Sequence, residues 1–322
     1  MIYYSITKQY CILVVLSVLL YSCGGSGKQE FEHAGGSLQI ALDVEPSTHI
    51  SREVNDYYSA ALLTQVMEGL VSMDPKSLKV NPQIASEWKV SADGLTYSFV
   101  LRSDVKFHAN PLFKSEDDRK LTMNDVVRSV EKACSKSEQG EPTHAYVFLY
   151  KDLLKGANEF FEGNRKSIDG LKVNGNRVSF ELLKRDDNFL AKMTNVCAAV
   201  SSAKVIDQGK ESELIGTGPF IFNGYVSGDV RKAILLKNQD YYLQDDDGNA
   251  LPYLDSLVFV FQGRKLEQLE MFENKQIDLI TGLPPSRITK MLEGRIKDFN
   301  SSPPLFVMHD NPLLFTNYYF FN

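Results

Sequence analysis

The residue types that most often carry out catalysis are present in this sequence, but their spacing does not form a catalytic or metal-binding motif. None of the five histidines stands at metal-ligand spacing from another; they are His33, His49, His108, His144 and His309. A zinc site usually takes cysteine or histidine pairs a few residues apart, and the sequence contains no C-x-x-C pair. The sequence therefore predicts no metal centre and no other cofactor.

Motifs for nucleotides and for activated nucleophiles are missing as well. Neither the G-x-S-x-G turn of serine hydrolases nor the G-x-x-x-x-G-K-[ST] loop of ATPases occurs. Gly216 and Gly218 lack the third glycine of a dinucleotide loop, and Pro219 would disturb the helix start that such a loop needs. The acidic run at residues 245–247 lacks the alternating carboxylates of a calcium loop. We therefore expect no enzyme, and a secreted hydrolase stays an alternative that no motif supports.

Composition and charge exclude a further class of function. Of the 322 residues, 43% are hydrophobic and 24% charged, and the formal net charge is -6. A mildly acidic chain without a basic stripe lacks the electrostatic footprint of nucleic-acid binding. We therefore expect no nucleic-acid partner, and the length allows one large or two medium domains.

The beginning of the chain has the pattern of a secretion signal. Residues 11–20 form an apolar run that is too short to span a bilayer but fits the apolar part of a signal peptide. Ser22 and Cys23 follow, and a small residue before cysteine resembles the lipobox of bacterial lipoproteins. This resemblance implies that residues 1–22 are a signal peptide and that Cys23 carries a lipid. Residues 23–37 would then contain the lipidated Cys23 and a flexible tether. The protein would be a membrane-anchored lipoprotein of the periplasm or cell envelope.

Two cysteines, Cys134 and Cys197, remain after the predicted signal and lipid site are set aside. An oxidising compartment would permit one disulfide between them. Two buried free thiols are the alternative, and the sequence does not decide between the two.

Several segments have the pattern of strands. Apolar residues alternate with other residues over 38–42 and 95–101, and residues 257–261 form another strand pattern. The Asn-Gly-Asn run at residues 174–176 stands between two further apolar segments and predicts a hairpin turn.

Other segments have the pattern of helices. Residues 57–70 carry apolar side chains at helical spacing, with Gly69 near the expected end. A second helix is expected after Thr122, whose hydroxyl can cap it, while Asp125 suits the positive end of a helix. Since strands, hairpins and helices alternate, the sequence predicts an α/β fold with a mixed sheet.

A longer series of motifs resembles the family 5 extracellular solute-binding proteins, the oligopeptide and dipeptide binders of ABC importers. The resemblance covers nearly all of residues 36–322. The matching segments, in chain order, are TQVMEGLV (64–71), IASEW (84–88), SADGLTYSFVLR (91–102), VKFH (105–108), LTMNDV (121–126), GTGPF (216–220), KNQDYY (237–242), LPYLD (251–255), ID (277–278) and YYFFN (318–322).

This resemblance implies a periplasmic-binding-protein-like type II fold, in which two lobes close around a solute by a hinge motion. The first lobe would contain a core subdomain of residues 38–60 and 198–322 and an inserted subdomain of residues 61–197. Family members are longer, so the second lobe is expected to be missing here. The implied function is that of a substrate-binding lipoprotein that delivers peptides or similar small solutes to permease subunits. A separate chain with the second lobe would be a further partner.

The resemblance also implies binding residues. Peptide binders of the family hold an extended ligand through main-chain hydrogen bonds, as an added strand. The pairing segment maps near Asn55, Asp56 and Tyr57, and Tyr318 and Tyr319 would border the cleft at the crossover to the second lobe. The alternatives are an exposed loop for the first group and packing for the two tyrosines.

One departure from the family lies close to these residues. Ile50 and Ser51 stand where the family usually has Asp-Pro after its first strand. The alternative function is that of a structural or interaction lipoprotein that kept the scaffold but lost transport, which a missing partner chain would favour.

Overall fold

The computed structural model describes residues 34–137, 139–284, 286–302, 304 and 306–308. The chain divides into two compact units, residues 1–36 and residues 37–322. Only residues 34–36 of the first unit are described, so the predicted signal peptide, Cys23 and most of the predicted tether lie outside the described residues. Tyr318 and Tyr319 also lie outside them.

The strands found among the described residues all belong to the second unit. In chain order they are β1 Ser37–Leu42, β2 Val71–Met73, β3 Val80–Pro82, β4 Ala85–Val90, β5 Thr96–Leu101, β6 Leu171–Asn174, β7 Arg177–Glu181, β8 Phe220–Val226, β9 Lys232–Lys237 and β10 Ser256–Phe261.

The α-helices are mostly short. They are α1 Tyr57–Val66, α2 Met123–Ala133, α3 Ala157–Phe161, α4 Phe189–Lys192, α5 Ala203–Asp207, α6 Lys265–Glu273 and α7 Ile288–Phe299. Single turns of 3₁₀-helix occupy Ser51–Glu53, Asp117–Arg119, Val196–Ala198 and Glu211–Glu213, and one π-helical turn occupies Tyr146–Tyr150.

Two four-stranded sheets carry the fold. The first has the order β1-β10-β9-β8; β1 runs parallel to β10, and the other neighbours are antiparallel. The second has the order β4-β5-β7-β6 and is antiparallel. A short antiparallel pair, β2 and β3, stands apart from both. This combination confirms the predicted α/β fold with mixed sheets.

Local sequence signals placed several elements correctly. In β5 the side chains of Tyr97, Phe99 and Leu101 are buried and alternate with half-buried neighbours, as the period of two requires. Gly175 adopts a positive φ of 60° in the turn between β6 and β7, which confirms the hairpin. The start of α2 is confirmed too, because the Thr122 amide donates to the Asp125 carboxylate over 2.7 Å.

Helix α1 is shorter than its periodicity predicts. The sequence pattern runs to residue 70, but the helix ends at Val66, and Met67 already has extended backbone angles of -110° and 143°. The cause lies far along the chain: the Gly218 amide donates to the Val66 carbonyl over 2.9 Å. That contact supplies a partner for a carbonyl at the helix end and turns Glu68 into the interior.

Two large apolar clusters fill the interior. One lies against the second sheet, where the fully buried rings of Phe99 and Phe180 meet edge to face at 5.7 Å. The other lies against the first sheet, where Leu62 and Leu63 of α1 join the side chains of β9 and β10. The proposed boundaries of the core and inserted subdomains stay a prediction.

Cys134 and Cys197 are buried free thiols, so the alternative with a disulfide is wrong. Burial raises the pKa of Cys134 far above its ordinary value, and it raises the pKa of Cys197 to about 12. Both sulfurs therefore stay protonated at neutral pH and behave as small apolar groups.

Candidate functional site

A cluster of accessible polar groups lies where the parallel strands β1 and β10 end. In open α/β sheets the carboxyl ends of parallel strands form an edge at which ligands bind. Strand β1 continues into residues 43–49, which we name the edge segment. The Gln262 amide, just after β10, donates to the Leu42 carbonyl over 2.9 Å and keeps the two strand ends together.

The edge segment begins with a well-anchored carboxylate. Asp43 accepts hydrogen bonds from the Lys265 ammonium at 2.6 Å, the Gln268 amide at 2.8 Å and the Tyr58 hydroxyl at 3.3 Å. Partial burial alone would raise the pKa of Asp43, but the hydrogen bonds from Lys265 and Gln268 outweigh it and lower the pKa. Asp43 is therefore an ionised anchor that joins β1 to the beginnings of α1 and α6.

The middle of the edge segment is bound to the start of α1. Asp56 caps that helix by accepting from the Ser59 amide at 2.8 Å, and it accepts from the Ser47 hydroxyl at 2.7 Å. The buried Ser59 hydroxyl accepts from the amides of Ser47 at 2.9 Å and Thr48 at 3.3 Å. The helix start and the edge segment therefore form one connected structure.

The far end of the edge segment is held by an aromatic cluster. The His49 ring stacks on Tyr225 at 5.6 Å, and its Nε2 lies 2.6 Å from the Tyr225 hydroxyl. The Arg231 guanidinium lies over the Tyr225 ring, 4.5 Å from its centre, and pairs with Glu45 at 3.2 Å. This end is therefore tied to β8 and to the turn that follows it.

Between these anchors the backbone is unpaired. Val44 is 54% exposed. Within the described part of the chain, the backbone N–H and C=O groups of Val44 and Glu45 have no hydrogen-bond partner. Tyr57 at the start of α1 is 61% exposed. A fixed piece of backbone with open donors and acceptors can pair with another extended chain.

A second group of polar residues is closed to solvent. Glu68 is 1% exposed. Its carboxylate accepts from the hydroxyls of Thr217 and Tyr241 at 2.8 Å each, from the Gln83 amide at 3.0 Å and from the Tyr242 hydroxyl at 3.2 Å. Burial raises the pKa of Glu68, and these hydrogen bonds counteract it only in part. This carboxylate joins its own segment to three others, and it has no open face for a ligand.

The neighbouring glycine loop is equally closed. A Cβ atom at Gly216 would lie 1.9 Å from the Val66 carbonyl oxygen, so only glycine permits this approach. The Gly218 carbonyl accepts from the buried His108 ring and from the Asn238 amide, each at 2.9 Å. Burial lowers the pKa of His108 to about 4, so this ring is neutral at neutral pH. The loop therefore positions the end of α1.

The structure places the residues expected from sequence as follows. Asn55 and Tyr57 are exposed beside the edge segment, and Asp56 caps α1 while anchoring Ser47. Their role in ligand binding stays a prediction, and Tyr318 and Tyr319 lie outside the described residues. Sequence reasoning missed the edge segment itself. Its position directly after the first strand was the signal that could have identified it.

Two kinds of feature are absent from the described residues. No three or more His, Cys, Asp or Glu side chains there come together as metal ligands. No described helix has the length and apolar character to cross a membrane.

Comparison with known proteins gives a family match over most of the chain. The family model described as bacterial extracellular solute-binding proteins, family 5 Middle, matches residues 79–322. The edge segment precedes this range, so its role is argued from geometry.

Curated relatives match in sequence. Di/tripeptide-binding protein 4 of Pseudomonas aeruginosa is 34% identical over 202 residues, which is 60% of this chain and 35% of that protein. Heme-binding protein A of Haemophilus influenzae is 33% identical over 174 residues, 50% of this chain and 29% of that protein. The chain thus spans about a third of the length of these relatives.

Solved structures match in fold. A periplasmic binding protein, DppA, from Helicobacter pylori in complex with the peptide STSA has a TM-score of 0.66 at 23% identity, covering 81% of this chain and 49% of that one. A periplasmic oligopeptide-binding protein from Borrelia burgdorferi has a TM-score of 0.68 at 22% identity, covering 80% and 49%. These likenesses show the type II periplasmic-binding-protein fold, of which this chain corresponds to about half.

Proposed function

Because this chain belongs to the family 5 bacterial extracellular solute-binding proteins, we propose that it binds peptides or similar small solutes for uptake by an ABC importer. Several relatives are named as di/tripeptide-binding proteins, and one as a probable ABC transporter periplasmic-binding protein. The permease subunits of the importer would be its partners at the membrane. The proposed compartment is the periplasm or cell envelope.

The observation that carries this proposal is the unpaired backbone at Val44 and Glu45. A peptide-binding site must recognise what all peptides share, which is a main chain with one donor and one acceptor per residue. Anchors on both sides of Val44 fix the protein backbone in advance, so little conformational entropy is lost when a peptide pairs with it. Asn55 and Tyr57 lie beside this segment and are proposed to contact ligand side chains.

The remaining length of the relatives suggests how the site is completed. A ligand paired with the edge segment would be covered on one side only. We propose that a second lobe, as in the complete family fold, closes over the ligand by hinge motion. Without such a lobe we expect weak binding.

Calorimetric titration with a pool of di- to pentapeptides tests the proposal. The chain with Cys23→Ser is titrated alone and mixed with the candidate second-lobe chain. We expect measurable binding in the mixture, and slower amide hydrogen exchange in residues 43–49 when peptide is present. Absence of binding under both conditions would instead favour a scaffold lipoprotein that has lost transport.

Substitution at Val44 locates the binding. Val44→Pro removes one amide donor, and we expect peptide affinity to fall by about five- to tenfold, the value of one hydrogen bond. Val44→Thr keeps the donor and is the matched control, for which affinity should hardly change. Equal losses in the two variants would show that the side chain, and not the backbone, binds the ligand.

We further propose that a lipid on Cys23 anchors the protein to a membrane. The support is the signal-like segment and the Ser22-Cys23 pair. Replacing Cys23 by Ser should move the protein from the membrane fraction to the soluble fraction, because serine has no thiol to carry the proposed lipid. Cys134→Ser is a matched control with a buried thiol. An unchanged distribution of the Cys23 variant would contradict the anchor.

A further inference from the structure

His49 is the contact that fixes the end of the edge segment. Its Nδ1 lies 3.2 Å from the Ser212 carbonyl oxygen and its Nε2 lies 2.6 Å from the Tyr225 hydroxyl. The ring also meets Phe222 edge to face at 5.5 Å. These contacts hold the segment against β8 and the 3₁₀ turn Glu211–Glu213.

The two partners suit the neutral ring. A carbonyl oxygen only accepts, so Nδ1 carries the proton that is donated to Ser212. Nε2 is then the acceptor, and the Tyr225 hydroxyl donates to it. In a protonated ring both nitrogens are donors, so the Tyr225 hydroxyl would have to turn and direct its own proton elsewhere. The hydrogen-bond pattern therefore depends on the protonation state of His49.

The surrounding charges do not favour a positive ring. Arg231 lies over the Tyr225 ring, and the nearby Glu45 is already paired with Arg231. Burial lowers the pKa of His49 below its ordinary value of 6.5, the Ser212 carbonyl opposes this, and Arg231 lowers it further. A lowered pKa means that the stability this contact provides is complete above pH 6.5 and is lost as the pH falls through the lowered value.

The acidic residues on the neighbouring element are paired as well. Glu211 and Glu213 flank Ser212 in the chain. Glu211 pairs with Arg52, and Glu213 lies 3.1 Å from the Lys210 ammonium. Both carboxylates therefore have a cation other than His49 as partner.

We infer that His49 is a positioning residue: its contacts with Ser212 and Tyr225 hold the edge segment in place for a ligand backbone, and protonation of the ring releases the segment. The inference rests on the proposed function, because the edge segment is the proposed ligand-pairing strand. Its consequence is that ligand is bound more weakly in acid.

The test compares the wild type with His49→Gln, since glutamine offers one donor and one acceptor but does not titrate. Peptide titrations are run between about pH 5 and pH 7.5, and amide exchange of residues 43–49 is followed without peptide, corrected for intrinsic rates. For the wild type we expect affinity and protection to fall by about threefold to tenfold toward acid. For His49→Gln both should stay nearly constant.

Two control variants separate positioning from general stability. Asp56→Ala removes another anchor of the segment, so it should lower affinity and protection by a similar factor at every pH. His144→Gln removes a histidine outside the site and should keep the wild-type pH profile.

Each result decides between the two claims. A wild-type profile that persists in His49→Gln overturns the inference and leaves peptide binding intact. If no peptide binds at any pH, the proposed function fails. The amide-exchange data alone then decide whether His49 positions the edge segment. Acid-induced loss of protection that disappears in His49→Gln then supports the positioning role, and protection that does not depend on pH overturns it.

Discussion

Replacing Gly216 with alanine is expected to lower the free energy of unfolding by about 3 kcal/mol or more, at the upper end of overpacking costs. The added Cβ would lie 1.9 Å from the Val66 carbonyl oxygen and 2.7 Å from the Val66 carbonyl carbon. Both contacts are with backbone, so no side-chain rotation can relieve them. Either the loop or the end of α1 must move, and with it the Gly218–Val66 hydrogen bond. Urea unfolding followed by circular dichroism measures the loss.

Gly294 provides the matched control. It lies exposed in α7, and a Cβ atom there would meet nothing within 4 Å. Gly294→Ala should therefore raise stability by about 0.5–1 kcal/mol through helix propensity. If Gly216→Ala unfolds at the same urea concentration as the wild type, the close approach of loop and helix is wrong.

Removing the Glu68 carboxylate is expected to cost about 3–5 kcal/mol, the range found when one partner of a buried charged network is deleted. Glu68→Ala leaves the hydroxyls of Thr217, Tyr241 and Tyr242 and the Gln83 amide without their acceptor in a dry site. Each orphaned buried donor costs about 1–3 kcal/mol, and partial rearrangement keeps the total below the sum. The measurement is again the urea midpoint and slope.

An exposed glutamate shows whether burial is the cause. The Glu87 side chain is 58% exposed and lies 3.9 Å from Arg177, so Glu87→Ala should cost less than about 1 kcal/mol. Comparable losses for the two alanine variants would mean that the Glu68 network contributes no more than a surface pair.

The pH dependence of Glu68→Gln adds an independent check. Because burial raises the pKa of Glu68 above its ordinary value of 4.5, the folded protein holds this proton at a pH where the unfolded chain has lost it. Wild-type stability relative to Glu68→Gln should therefore fall as the pH rises through the window that begins near 4.5 and ends at the raised value. A stability difference that does not change with pH in this window would contradict the raised pKa.

The sequence alone determined the elements whose signals are local. The alternation of apolar and other residues predicted β5, and the Asn-Gly-Asn run predicted the turn between β6 and β7. Thr122 with Asp125 predicted the start of α2. Each signal acts within a few residues, through side-chain period, turn geometry or a cap. The motif series identified the family because it contains many such scaffold positions in a fixed order.

The sequence could predict the candidate site only in part. It selected Asn55, Asp56 and Tyr57 at the start of α1, which the structure places beside the edge segment. It could not show that Asp56 anchors Ser47 or that His49 meets Tyr225, because 176 positions separate the second pair. Periodicity carries no information on such contacts, since they depend on the way the strands are ordered in the first sheet.

The end of α1 also depends on long-range contacts and not on local sequence signals. The apolar pattern continues to residue 70, and the local stop signal, Gly69, lies three positions beyond Val66. The helix ends there because Gly216 and Gly218, about 150 positions later, bring their backbone against the Val66 carbonyl. The sequence thus determined the family, the fold class and most element types, while tertiary packing decided where α1 ends and which backbone groups of the described residues stay without a hydrogen-bond partner. Local propensity acts over one helical turn, but steric contact and hydrogen bonding act between any residues that the fold brings together.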